Sequence, residues 1–319
     1  MTTERHIEIE FSQLKKDSEE VCGDDCKTIR LENENRYIVV LSDGLGSGIK
    51  ASLLANMTTS MAVKFVGQNM EIKKSAEIIM DTLPVCQERK ISYATFTIVD
   101  TLLGGTTRII EMGNPGFIHL RSGKSLDYDK KELYSNNWPD RKLLISELKT
   151  HPEDRLIFFS DGVSQAGLGR PPHKFGWRRQ GCLEFVQGVV KKKPNISARE
   201  LSRMIVSQAR LKNEGNKCID DITCVVIYFR VPRKLILLTG PPFKEDKDSE
   251  FAALLSNFNG KKVICGGTTA NIISREFGVE IETDFRLYRG GLPPVSKMSG
   301  VDMVTEGILT LTETAKYLE

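Results

Sequence analysis

Three aspartates in this chain share one local setting, at or beside the end of a hydrophobic strand: Asp43 in Leu41-Ser42-Asp43-Gly44, Asp161 in Phe159-Ser160-Asp161-Gly162, and Asp220 in Ile219-Asp220-Asp221-Ile222-Thr223. A strand fixes its own end, and a glycine after the acid lets the backbone turn sharply and approach a ligand. Carboxylates gathered at such ends repel one another unless cations lie between them. Hard divalent ions, Mg2+ or Mn2+, select carboxylate, carbonyl and water oxygens, and a pair of them about 3.5 to 4 Å apart activates water and neutralises a phosphoryl group. That chemistry needs no histidine. A single Asp-Gly at a strand end is more often a turn, since both residues are favoured there on conformational grounds. Two Ser-Asp-Gly repeats together with Asp-Asp-Ile-Thr are harder to read that way.

The elements that must position these acids are legible as changes of hydrophobic period. His6 to Phe11 alternates apolar and polar residues as a strand does, and the polar loop Cys22-Gly23-Asp24-Asp25-Cys26 follows it. Arg36 to Leu41 reads as a buried strand running into Ser42-Asp43-Gly44-Leu45-Gly46-Ser47-Gly48. Beyond it, Ile49, Leu53, Met57, Met61 and Phe65 recur every fourth residue, which predicts a helix with that stripe as its core face. Tyr93 to Asp100, Arg108 to Glu111 and Phe117 to Arg121 predict a meander, with turns at Leu103-Gly104-Gly105-Thr106 and Ser122-Gly123-Lys124. Asp154 to Phe159 is a further buried strand, Ser197 to Leu211 a helix with Ser197 and Glu200 in capping-box spacing, and Ile222 to Phe229 the last strand of this region.

Val231-Pro232-Arg233 marks a boundary, which gives domains 1–231 and 234–319. From Lys234 the order is strand (Leu235 to Leu238), helix (Ser249 to Asn257), strand (Lys262 to Cys265), helix (Ala270 to Phe277) and strand (Val279 to Thr283), a small α/β domain. Within it, Cys265-Gly266-Gly267-Thr268-Thr269 stands between a strand and a helix start, where free amides attract anions. Capping of that helix by Thr268 or Thr269 is the simpler reading, and a ligand or partner site the sharper one.

Composition removes several classes of function. With 319 residues, 45 Lys and Arg against 42 Asp and Glu, and a net charge of +3, the chain has the length of one large and one smaller domain and no strong field for nucleic acid. Its basic cluster, Lys191-Lys192-Lys193, lacks interleaved aromatics and reads as a solvated helix end before Pro194. No apolar run approaches the roughly 18 to 20 residues of a membrane helix, and the polar start from Met1 has no secretory h-region, so a cytoplasmic protein is expected, without nucleic-acid or membrane partners. The 7 cysteines form no CxxC pair and read as reduced thiols.

The acidic runs also carry a resemblance. Val40 to Gly48, Leu156 to Ser164 and Asp220 to Val226 are similar to the metal-binding blocks of the type 2C (PPM) protein phosphatases, most closely the bacterial SpoIIE/RsbU-like branch. Ser92-Tyr93-Ala94-Thr95-Phe96 and Gly113-Asn114-Pro115-Gly116 resemble weaker blocks of that branch in the same order, so the likeness runs from about Gly23 to Phe229.

The resemblance implies an α+β fold, an αββα sandwich of two central antiparallel sheets flanked by helices, with the small α/β domain appended. It implies a metal-dependent serine/threonine protein phosphatase in which two Mn2+ or Mg2+ ions activate the attacking water. Carried over by position, Asp43 would bridge both metals, the Gly44 carbonyl would bind one, Asp161 and Asp220 would complete the other, and Asp24 could hold a metal through water. Asp25 and Asp221 are assigned a structural or secondary role. The implied substrate is a phosphorylated regulatory protein such as an anti-sigma-factor antagonist, and a homodimer switched through the helix after Gly48, where Ala51, Ala55 and Thr58 permit close sliding, is compatible with the branch. Two features depart from the wider family: Leu45 stands where many members carry a histidine acid, and no phosphate-gripping arginine is evident near Gly23, leaving Arg30, Arg36 and Arg178 as candidates.

Other readings fit less well. Glycines at 44, 46 and 48 break the Rossmann spacing, and Lys50 is followed by Ala51 where a Walker A loop needs Ser or Thr. A catalytically weak phosphatase-fold module that binds and signals is the remaining alternative, and the presence of all three core aspartates argues against it.

Overall fold

The computed structural model describes residues 5–82, 94–134, 141–283 and 294–318. The chain folds as two compact units, Met1–Val231 and Pro232–Glu319.

In the first unit the strands are β1 (His6–Leu14), β2 (Asp24–Leu31), β3 (Arg36–Gly44), β4 (Ala94–Leu102), β5 (Thr106–Met112), β6 (Ile118–Arg121), β7 (Lys124–Leu126), β8 (Lys131–Tyr134), β9 (Lys142–Lys149), β10 (Arg155–Phe159) and β11 (Ile222–Arg230). The helices are α1 (Gly48–Gly67), α2 (Ile72–Thr82), the single turn α3 (Asp161–Ser164), α4 (Arg178–Lys192) and α5 (Ala198–Lys212). One antiparallel sheet has the order β1-β11-β10-β6-β7 and the other β2-β3-β4-β5-β9-β8.

Three apolar layers follow from strand alternation. Val39 and Leu41 of β3 face Leu156 and Phe158 of β10 and Val225 and Ile227 of β11 in a core between the sheets. Ile38 and Val40 point the other way, into a core with Leu54, Ala62 and Val66 of α1 and Ile79 of α2. Ile157 and Phe159 likewise pack under Val186 of α4 and Leu201 and Ile205 of α5. The result is the αββα sandwich. Ser197 caps α5 as its spacing predicts, accepting a hydrogen bond from the Glu200 amide at 3.1 Å, while the Glu200 carboxylate turns to Lys193.

The stripe expected to be the core face of α1 is not. Ile49 is 77% exposed and Leu53 59%, with Met57 also exposed, and only Met61 and Phe65 at the far end pack partly inward. The buried face is Ala51, Leu54, Ala55, Thr58, Thr59, Ala62 and Val66. Both faces repeat with the helical period, so periodicity alone could not choose. Proximity does: a Cβ on Gly44 would stand 2.1 Å from the Ala51 carbonyl oxygen, and at that separation only small side chains fit between helix and sheet.

Smaller differences lie at element ends. The β1 strand runs to Leu14, and β4 starts within the predicted Tyr93 to Asp100, Tyr93 itself lying outside the described residues. Among the described residues the cysteines are free thiols, Cys86 lying outside them, and no helix is long and apolar enough to cross a membrane.

The second unit holds β12 (Leu235–Thr239), α6 (Asp248–Ser256), β13 (Lys261–Cys265), α7 (Gly267–Phe277), β14 (Ile281–Thr283), β15 (Ser296–Met298), β16 (Val301–Thr305) and α8 (Ile308–Leu318). Its sheet, β12-β13-β16-β15-β14, is parallel across β12, β13 and β16 and antiparallel beyond. Neither Thr268 nor Thr269 caps α7: the helix begins at Gly267 behind Gly266, whose φ of 116° needs glycine, and Thr269 is buried in the first turn.

Candidate active site

The two sheets bring four aspartates to one end of the sandwich. Asp24 opens β2 and is the register partner of Asp43, the last residue but one of β3 in Ser42-Asp43-Gly44. Asp161 follows β10 as the first residue of α3, and Asp220 stands in the bend before β11. The strands β10 and β11 are held at this end by the Ser160 amide donating to the Thr223 carbonyl at 3.0 Å and by the Thr223 amide donating to Ser160 Oγ at 3.0 Å. This clamp fixes the separation of Asp161 and Asp220.

Glycine serves the site by close approach to protein backbone. A Cβ at Gly162 would lie 2.0 Å from the Asp221 carbonyl oxygen, as one at Gly44 would press on Ala51, and neither glycine has positive φ. After β3 the sharp turn expected at Gly44 falls instead at Gly46 and Gly48, with φ of 105° and 69°, and Gly162 lies inside the helical turn α3.

The acids are electrostatically frustrated. Burial pushes the Asp43 carboxyl well above the ordinary carboxylate range, and the charges of Asp24, Asp161 and Asp220 push it further. Burial also raises Asp161, which shares a hydrogen bond with Asp43, and it raises Asp220, assisted by the charge of Asp161. Asp24 is raised by burial too, against hydrogen bonds from Thr223 and Ser160; Thr223 Oγ1 donates to Asp24 Oδ2 at 2.6 Å. Such a set of oxygens, rich in charge and poor in compensating cations, has the chemistry of a hard divalent-metal site. Among the described residues no group of three His, Cys, Asp or Glu side chains is already gathered as a metal site.

Asp221 has a different task. Its carboxylate accepts the Lys16 amide and the Gly23 amide, both at 2.9 Å, which ties the β1–β2 loop to β11. Asp25 accepts the Thr59 hydroxyl and so ties β2 to α1. These contacts are of the structural kind among the structural or secondary roles expected of the two acids.

Of the candidate arginines, two are at the wrong end. Arg36 donates to both Asp100 oxygens, at 2.7 and 2.9 Å, and to the Val66 carbonyl at 3.0 Å. It lies seven residues from Asp43 along β3, roughly 23 Å at strand rise. Arg30 is the register partner of Tyr37 at that same end. Arg178 is exposed at the start of α4, with its guanidinium 4.8 Å from the Phe175 ring centroid, in a segment anchored to the turn after α3 by the Trp177 amide donating to the Ala166 carbonyl.

Several residues support the acids, of which Gln13 and Gln165 stand outside every motif of the sequence and Asn114, Thr95 and Thr223 stand inside motifs that assign them no role. Gln165 Nε2 donates to Asp161 Oδ2 at 2.7 Å, and Gln13 Nε2 donates to the Asp24 carbonyl at 2.9 Å and to Thr223 Oγ1 at 3.2 Å. Asn114, in the Gly-Asn-Pro-Gly block, accepts the hydroxyl of Thr95, the register partner of Asp43, and donates to Thr97 Oγ1 at 3.1 Å. Thr223 carried a usable signal, two positions from Asp221 in Asp-Asp-Ile-Thr. Gln13 and Gln165 carried none.

The family model described as Stage II sporulation protein E (SpoIIE) matches residues 33–230. No curated protein sequence matches. Among solved structures, the phosphatase domain of the cell fate determinant SpoIIE from Bacillus subtilis is similar at a TM-score of 0.54 and 16% identity, over 75% of this chain and 98% of that one. A second Bacillus subtilis SpoIIE structure, the PP2C phosphatase domain with a fragment of the regulatory domain, is similar at 0.57 and 17%, over 72% and 65%. The RsbU and RsbW domains of a Mycobacterium tuberculosis protein follow at 0.54 and 15%, over 79% and 67%. At these identities the likeness is one of fold, and that fold is the PP2C-type phosphatase sandwich.

Proposed function

Because the chain belongs to the SpoIIE family, we propose that it is a divalent-metal-dependent serine/threonine protein phosphatase whose site is built on Asp43, Asp161 and Asp220. The observation that carries this reading is the convergence of those acids, with Asp24, at one end of the two sheets, every one raised by burial. Mn2+ or Mg2+, as two ions, would be held by Asp43, the Gly44 carbonyl, Asp161 and Asp220, with Asp24 acting through water. When bound, such ions supply Lewis acidity toward phosphoryl oxygens and lower the pKa of a water.

The chain's own residues do the rest. Thr223 and Ser160 hold Asp24 as an acceptor, Gln165 orients Asp161, and the β10–β11 clamp keeps the acids at fixed separation. Leu45 offers no proton, so protonation of the leaving serine or threonine oxygen falls to solvent. Arg178, exposed beside α3, is the arginine suited to meet the substrate phosphate. The substrate is assigned by class as a phosphorylated regulatory protein, with an anti-sigma-factor antagonist as the family-based choice. The exposed Ile49, Leu53 and Met57 beside the Gly44 to Gly48 loop support α1 as the helix through which activity is set, in a homodimer or by a partner.

The test is phosphate release from a phosphoserine protein with and without Mn2+, comparing the native chain with Asp43→Asn and an EDTA control. Release that needs both Mn2+ and Asp43 supports the reading. Turnover that survives EDTA or the substitution overturns it, and metal-independent binding of the phosphoprotein without turnover would favour the binding module.

A further inference from the structure

A cavity of about 560 Å3 opens on the first unit between the β6–β7 turn, the start of β10 and the last turns of α4. Arg155, Lys124 and Lys191 supply its cations, Val190 and Gly188 part of its apolar wall, and Glu153 its one carboxylate. Arg155 is six residues from Asp161 along β10, roughly 20 Å at strand rise, so the cavity is separate from the aspartate cluster. A volume of this size suits a compact organic molecule.

The floor of the cavity is electrostatically incomplete. Arg155 is only 3% exposed. One terminal nitrogen donates to the carbonyls of Pro194 and Ile196 at 2.7 and 3.3 Å, the guanidinium lies 3.8 Å from the Tyr228 ring centroid, and Nε has no partner. No carboxylate among the described residues stands at ion-pair distance from it, because Glu153 takes the Tyr228 hydroxyl. A buried cation that has only the more distant charges of Glu153 and Glu8, with no ion-pair partner, and that carries an unsatisfied donor, is costly to a fold. Lys124 and Lys191 add exposed positive charge at the rim and likewise form no ion pair among the described residues.

We propose that this cavity binds a small organic anion, a phosphate or carboxylate group on an apolar body. The anionic end is drawn by Arg155, Lys124 and Lys191, and the body lies along Val190 and the bare backbone of Gly188, where an added Cβ would meet nothing within 4 Å. The basic run that reads in sequence as a solvated helix end thereby gives one of its lysines, Lys191, to a binding site.

The experiment uses the full chain in metal-free buffer, with phenylphosphonate, which has no phosphoester to cleave, benzoate, and neutral benzamide as probes. Calorimetry and thermal melts are expected to show binding of phenylphosphonate, benzoate or both, with Kd of about 1 mM or tighter, and none of benzamide. Which anion binds separates a phosphate from a carboxylate site. Gly188→Leu, which fills the cavity from an open helical position, and Lys191→Glu, at an exposed one, are each expected to melt cooperatively and to weaken binding at least about tenfold. Failure of both anions to bind at about 20 mM, equal binding of benzamide, or binding unchanged in both variants would overturn the proposal.

Discussion

Asp24 and Asp43 stand directly opposite one another on adjacent antiparallel strands, and a hydroxyl from a third strand, that of Thr223, donates to Asp24 at 2.6 Å. The pair thus depends on β2 and β3 of one sheet and β11 of the other, and a change in any of the three should register in the site.

Thr223→Val removes that donor while keeping the side-chain shape. Metal affinity and turnover should each fall by about 10- to 100-fold, the usual cost of losing an outer-sphere partner, with far-ultraviolet circular dichroism unchanged. Calorimetric Mn2+ titration checks the first, and an affinity equal to the native protein's would remove Thr223 from the site.

Asp161→Asn should lower metal-dependent turnover by at least about 100-fold. The same change takes one negative charge from a buried, mutually repelling set, so the metal-free protein should melt at a higher temperature than the native chain. A lower melting temperature would show that the acids are not in conflict.

Gly162→Ala introduces a Cβ 2.0 Å from the Asp221 carbonyl oxygen, which cannot rotate away. Unfolding free energy should drop by about 1–3 kcal/mol, read from urea midpoints. A neutral result would mean that β11 is free to retreat from α3.

The Asp154 carboxyl is pushed up by burial, but Arg121, His119 and the His151 amide outweigh this and hold it down at about 2. A carboxyl lowered on folding contributes its stability in full above the unfolded value of 3.8, and loses it as pH falls toward about 2. Asp154→Asn should therefore cost on the order of 2 kcal/mol at neutral pH and progressively less below pH about 4. Denaturant unfolding of both proteins across that range checks it; a gap that persists at the acid end would assign the loss to packing.

A chain ending at Arg233 should retain a single cooperative melt, since Met1–Val231 is a compact unit in its own right. An aggregated or molten product would show that the two units share a core.

The sequence by itself determined which strands end in acids and in what order they come, because strand alternation and the Ser-Asp-Gly and Asp-Asp-Ile-Thr runs are local patterns. It likewise determined the cap of α5, a matter of three-residue spacing. What it left open were choices among equals. Two stripes of α1 share one period, and the tight approach of Ala51 to Gly44 decides that Ala55, Thr58 and Ala62 go inward while Ile49 and Leu53 stay in solvent. Arg30, Arg36 and Arg178 are equivalent as letters, and strand direction alone puts the first two at the far end with Tyr37 and Asp100. Asp220 and Asp221, already read apart in the sequence, are held apart by a physical cause visible only in the fold: the amides of Lys16 and Gly23 occupy Asp221, while Asp220 feels the charge of Asp161. Each of these follows from how helix, strands and loops pack on one another, from Ala51 against Gly44 to Asp221 against Lys16 and Gly23, which no local spacing encodes.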